Sequence, residues 1–256
     1  MSALHLRHFA GDPNRPALGL HCMMGSGASW RPIAGALGVS LDLVAPDFFG
    51  HGRSPDWQPG EVDYHTAVTR AVAAEITRPL DLIGHSFGAT VALRIAVAYP
   101  EAVRSLTLIE PVLFAAAPDA AQDALFSRMG EAFAEDDPAR ALADFLQVWG
   151  LQRDGDDPAP PSEIQLRQIE LVRDTNDVLI HDKARILREG GLEAIDAPVM
   201  LIMGENSPPV IGKITDALAA RLPDVGRATV PGAGHMAPLT HAAEVAGLIT
   251  ANLERA

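Results

Sequence analysis

The chain has 256 residues, 48% of them apolar, enough for one large domain or a domain carrying an insertion. A formal net charge of −13 argues against a nucleic acid or an anionic membrane surface as partner. The single cysteine, Cys22, leaves no internal disulfide, which fits a reducing compartment.

The first segment, MSALHLRHFAGDPNRP, has no uninterrupted apolar run and no small-residue cleavage pattern. No stretch approaches the ~18 consecutive apolar residues of a membrane span. A soluble, cytoplasmic protein is expected. Pro16–Met23 and Leu41–Phe48 are short apolar runs bounded by Gly, Pro and Asp, and read as strands. Between them SWRPIAGALG reads as a helix stopped by Gly38, and Tyr64–Ile76 carries apolar residues at helical spacing. Strand Leu80–Ile83, helix Phe87–Tyr99 and strand Ser105–Ile109 follow. Runs apolar throughout suit strands covered on both faces, as in a parallel sheet.

The pattern changes at Pro111. From residue 112 to 195 only helical segments are predicted. Pro118-Asp119 opens one, with Leu125, Met129 and Phe133 four residues apart. Asp137-Pro138 caps a second, which Gly150 ends, and Ser162 caps a third after a loop over Asp154–Ser162. Strand character returns at Ala197–Glu205, followed by helix Lys213–Arg221, strand Arg227–Val230 and helix His241–Asn252. The expected organisation is an α/β core, residues 1–111 and 196–256, with a mostly parallel sheet flanked by helices and a helical insertion over 112–195.

Leu80–Ala96, LDLIGHSFGATVALRIA, sets Ser86 between Gly84 and Gly88 at the strand-to-helix corner. Such a G-x-S-x-G turn forces the serine into a strained conformation and projects its Oγ above the sheet. Side chains at the flanking positions would strike the neighbouring strand or helix. The corner also sets Ser86 at a helix N-terminus, where unpaired N–H groups favour developing negative charge.

A serine hydroxyl needs a general base to act as a nucleophile at neutral pH. Of nine histidines, His235 in VPGAGHMAP is the candidate, in a glycine-rich loop after a short strand near the C-terminus. His241 starts the last predicted helix and is expected as a surface or capping residue. His5, His8, His65 and His181 have no supporting context and are expected to face solvent. His85 is expected to point away from the Ser86 Oγ, with shaping of the pocket only a lesser alternative.

Four motifs, in order, resemble the α/β-hydrolase superfamily: LHCMMGSGASW, APDFFGHGRSPD, GHSFG and GAGHMAP. The resemblance spans essentially the whole chain and places residues 112–195 as the variable helical cap. It implies an oxyanion hole built from the backbone N–H groups of Met23 and Phe87. Where the family usually carries His-Gly, this chain has His21-Cys22, and Cys22 reads as a small buried residue, not a nucleophile. The family often places its acid in a G-x-x-D segment, but here Gly204-Glu205-Asn206-Ser207 puts a serine at that position. Two carboxylates remain: Glu110, at the end of the strand Ser105–Ile109, which is favoured, and Glu205 as the alternative acid.

The resemblance implies a serine hydrolase, carboxylesterase-like, acting on a small ester or lactone through a Ser-His-acid triad and an acyl-enzyme. C–C bond hydrolases, perhydrolases and acyltransferases share the triad, and the fold also hosts small-molecule receptors without turnover. Phe114, Leu125, Met129, Phe133, Phe145 and Trp149 are available to line the pocket, with Trp30 contributing from below. A small-molecule substrate is expected as the partner. No metal or organic cofactor is expected, because no histidine–carboxylate cluster has ligand spacing. Oligomeric state is left open.

Overall fold

The computed structural model describes residues 3–151 and 160–256. Residues 154–159 of the loop predicted over Asp154–Ser162 lie outside the described residues. The apolar runs form a seven-stranded sheet: β1 (Leu6–Phe9), β2 (Pro16–Leu20), β3 (Asp42–Pro46), β4 (Leu80–His85), β5 (Val103–Ile109), β6 (Val199–Gly204) and β7 (Val225–Val230), in spatial order β1-β3-β2-β4-β5-β6-β7. Only β1 is antiparallel, paired with β3, and the other neighbours run parallel. This edge strand carries no apolar run, alternating exposed and half-buried residues, and no strand is predicted there from the sequence. Its pairing with β3 is what makes it a strand.

Alternate residues of each central strand divide between two cores, as the period of two requires. Leu82, Leu108 and Leu201 pack on one face with Leu93 and Ile214. Ile83, Ile109 and Ile202 pack on the other with Ile33 and Ile249. The first core is covered by α2 (Tyr64–Ala73) and α3 (Phe87–Ala98), the second by α1 (Arg31–Leu37). Both faces being covered explains why the strands read as continuous apolar runs.

Between β5 and β6 the described residues hold helices and no strand: α4 (Ala120–Ala134), α5 (Pro138–Trp149) and α6 (Glu163–Ile180), after a short 3-10 turn at Phe114–Ala116. Their starts follow the local chemistry. Asp119 accepts hydrogen bonds from the N–H groups of Ala121 and Gln122, and Asp137 accepts one from Arg140. Ser162 and Gln165 form a reciprocal capping box. After β6, helix α7 (Pro209–Ala219) covers the first face. The last predicted helix is two: α8 (Ala237–Thr240) and α9 (Ala242–Leu253), broken at His241, which stands between them.

His65 corrects an expectation. It is fully buried, because the face of α2 that carries it is turned onto α3. Its Nε2–H donates to Thr90 Oγ1 at 3.1 Å and its Nδ1 accepts from the Arg94 guanidinium at 3.0 Å. Burial, then the Arg94 charge, lower its pKa from 6.5 to about 3. The unfolded chain therefore takes up a proton near pH 6.5 while the folded chain stays neutral to about pH 3. With more protons bound in the unfolded state, stability is lost as pH falls through that window. We predict that His65→Gln reduces the drop in urea-unfolding free energy between pH 6 and pH 5 by about 1 kcal/mol. An unchanged drop would show that His65 titrates alike in both states.

Candidate active site

The strand β4 ends at His85 and α3 begins at Phe87, so Ser86 alone turns the chain, at φ 55° and ψ −116°. That left-handed conformation is costly for a residue with a side chain and is held from both sides. Its N–H donates to the Ile109 carbonyl at 2.8 Å, and its carbonyl accepts from Ala89 at 3.0 Å. The flanking glycines have steric causes. A Cβ at Gly84 would lie 2.4 Å from the Gly88 carbonyl oxygen, and one at Gly88 would lie 2.2 Å from that of Leu20. Strand, helix and β2 are thus closer together than any side chain permits.

Three side chains far apart in sequence meet here. His235 Nε2 lies 3.0 Å from Ser86 Oγ, and His235 Nδ1 lies 3.0 Å from Glu110 Oε2. All three are buried, Glu110 completely. Glu110 follows β5 at φ 53°, a second strained residue at the site. Its other oxygen, Oε1, accepts from the Gly204 N–H at 2.5 Å and from the Ser207 hydroxyl at 2.6 Å. Burial by itself would raise the Glu110 pKa, but hydrogen bonds from His235, Ser207 and Gly204 outweigh it and hold the carboxyl below its usual range. Glu205 is exposed and caps the Gly232 N–H at 2.8 Å. The structure brings Glu110, and not Glu205, onto His235. Ser207, at the position where the family pattern has its acid, serves Glu110 instead.

His85 donates its Nε2–H to the His235 carbonyl at 2.9 Å. Burial, then the neighbouring His235, lower its pKa to about 3. It lines a small internal void together with Trp30, not the cavity that holds Ser86. His8 and His181 are exposed beside Asp42 and Asp177, while His5 is half-buried against Asp47.

The loop carrying Met23 is fixed by two neutral histidines. His21 donates from Nδ1 to the Cys22 carbonyl at 2.7 Å and accepts the Phe48 N–H on Nε2 at 3.0 Å. His51 accepts the Met24 N–H on Nε2 at 3.1 Å. Burial is the main reason their pKa values fall, to about 3 and about 4. Asp47 ties the same loop from below, accepting from the N–H groups of Gly27 (2.6 Å) and Arg53 (2.9 Å). A Cβ at Gly52 would sit 2.2 Å from the Asp47 carboxyl carbon, and Ser54 closes the turn onto the Asp47 carbonyl at 2.5 Å. Buried Cys22 has its thiol pushed up to about 12 by burial, so it stays protonated and inert.

A cavity of about 40 Å³ opens over Ser86, bounded below by Met23, Phe87 and His235. The helices between β5 and β6 close it from above, with Phe126 of α4, Phe145 and Trp149 of α5, and Val172, Asn176 and Leu179 of α6. Of the six residues of this region available to line it, Phe114, Phe145 and Trp149 do. Leu125 and Met129 are packed in the core, and Phe133 lies under the Arg173 guanidinium at 4.8 Å. Trp30 is a correction: it is buried in the second core, on the opposite face of the sheet, with its indole against Gly19. The α6 contribution went unread because one stripe of a long, mostly polar helix gives no sign of what it faces. Among the described residues, no group of three or more His, Cys, Asp or Glu is arranged to hold a metal ion, and no helix is long and apolar enough to cross a membrane.

The open parallel sheet, the strained serine corner and the glycine-framed histidine loop together define a hydrolase-type fold. Residues 17–248 match the model of the Alpha/beta hydrolase family, and the chain belongs to that family. It is 27% identical over 264 residues to Lipase LipV of Mycobacterium tuberculosis, spanning 98% of this chain and 97% of that protein. It is 30% identical over 220 residues to the pimeloyl-[acyl-carrier protein] methyl ester esterase of Neisseria meningitidis serogroup A, spanning 83% of this chain and 68% of that one. Its fold also superposes on carboxylesterase CesB (YbfK) from Bacillus subtilis with a TM-score of 0.69 at 19% identity, covering 100% of this chain and 89% of that one.

Because the backbone contacts at Gly88 leave no room for a methyl group, Gly88→Ala is predicted to lower the unfolding free energy by at least about 2 kcal/mol. Urea denaturation checks this, and a neutral result would mean that α3 can retreat from β2.

Proposed function

We propose that the protein is a serine hydrolase of small carboxylic esters or lactones. The observation that carries this is the continuous Ser86–His235–Glu110 chain, with two contacts of 3.0 Å. His235 Nε2 takes the Oγ proton as Ser86 attacks the carbonyl carbon, and Glu110 holds the imidazole in the tautomer with Nδ1 protonated. The anionic carboxylate stabilises the imidazolium that forms. The N–H of Phe87, in the first turn of α3, has no intrahelical acceptor and is free for the developing oxyanion. The N–H of Met23 is the second donor. His235 then returns its proton to the leaving alkoxide, activates a water, and the acyl-enzyme is hydrolysed. The helices α4 to α6 act as a cap that keeps the reacting carbonyl in apolar surroundings, where these dipoles act most strongly.

The lipase and esterase relatives support ester chemistry as the reaction class. Labelling by a fluorophosphonate, read by intact mass, is expected for the wild type and absent in Ser86→Ala. An unlabelled wild type would turn the reading toward a binding protein. Glu110→Gln keeps the shape but loses the charge, and kcat on p-nitrophenyl acetate should fall by about 10³-fold or more. Glu205→Gln should stay within about twofold of wild type, since among the described residues its carboxylate bonds the Gly232 N–H and not His235. The opposite ranking of the two variants would move the acid to Glu205.

A further inference from the structure

The chamber over Ser86, about 40 Å³, is small beside an outer groove of about 620 Å³ on the far side of α5. Among the described residues, His235 is the one that borders both. Trp149 faces the inner chamber, while its chain neighbours Val148 and Gly150 face the groove. The indole is buried, with its ring centroid 4.7 Å from that of His235 at 72° and 6.1 Å from that of Phe114 at 61°. Trp149 is thus a rigid partition, resting on the imidazole and braced by a phenyl ring. Such edge-to-face packing fixes a wall that a flexible aliphatic side chain would leave soft.

From this we infer that Trp149 sets the substrate class: esters with a short acyl group, of about two to four carbons, because the chamber that must hold it is far smaller than the ~300–1,000 Å³ of ordinary ligand pockets and the indole closes one side of it. The inference rests on the serine-hydrolase reading above and deepens it. In the acyl-enzyme the carbonyl oxygen sits at the N–H groups of Met23 and Phe87, so the acyl chain has to run within the chamber those residues border. Its far end meets the aromatic wall. Beyond the reacting groups the lining is mostly apolar, with Thr175 and Asn176 the polar side chains, so the accepted acyl group is a short aliphatic one. Removing the indole joins the chamber to the groove and gives a longer chain somewhere to go.

The test is a series of p-nitrophenyl esters from acetate to decanoate, with fluorophosphonate labelling run beside it. Wild type is expected to peak at acetate to butyrate and to fall by about tenfold or more at octanoate. Trp149→Ala is expected to raise the octanoate-to-acetate ratio of kcat/KM by about tenfold, with Trp149→Phe in between. Trp149→Phe keeps an aromatic ring in the core and reports even where the alanine variant fails to fold. Labelled, folded variants with the wild-type chain-length profile, or a wild type that prefers octanoate, overturn the role of Trp149 and leave the serine-hydrolase reading intact. A wild type neither labelled nor active on any ester overturns that reading, and this inference with it.

Discussion

The Glu110 carboxylate is the junction on which the site depends. It is completely buried, yet it receives three hydrogen bonds, from Gly204, Ser207 and His235. These donors come from the end of β6, the turn after it and the last loop, so one charge ties three segments to the end of β5. A buried carboxylate without such donors would be driven to its neutral form. Neutralised, it would lose the attraction that holds His235 over Ser86. Glu110 is therefore a structural cross-link as much as an electrostatic partner.

Around that junction the chain keeps its other buried histidines uncharged. His21, His51 and His85 act through directed hydrogen bonds to backbone groups: His21 donates to the Cys22 carbonyl and accepts from Phe48, His51 accepts from Met24, and His85 donates to the His235 carbonyl. Burial lowers all three pKa values, so these contacts are not switched by pH near neutrality. His85 grips the carbonyl of His235, so the loop bearing His235 is held from behind by the residue before Ser86. Besides Asp136, Asp182 and Arg185 elsewhere in the chain, three residues at the site have positive φ: Met24, Ser86 and Glu110, between 53° and 62°. Each lies in or beside the groups that meet over the sheet, and each is pinned by neighbours that stabilise the conformation.

The helices between β5 and β6 complete the site from a different direction. Phe126, Phe145, Trp149 and Leu179 come from three helices and meet over a serine that none of them adjoins in sequence. The core places Ser86, His235 and Glu110, and the inserted helices set the width of the chamber above them. The two parts are packed together, because the apolar cluster on the first sheet face runs on into these helices and takes in Trp149, Val172 and Leu179.

Much of this was legible in the order of residues. The apolar runs, the caps at Asp119, Asp137 and Ser162, and the glycines around Ser86 are local signals, since each reflects an energy set within a few residues. The edge strand β1, the burial of His65 and the place of Trp30 were not legible, because each depends on which surface a distant segment presents. Trp30 has the size and hydrophobicity of a pocket residue, but the 3-10 turn that carries it faces the other side of the sheet. Similarly, Glu110 and Glu205 are both carboxylates at strand ends, and spacing alone left them both open. Local steric and hydrogen-bond preferences specify the strained corner and the helices. Which carboxylate meets His235, and how wide the chamber is, come from the packing of β5, β6 and α5, because direction and distance in space exist only once the chain is folded.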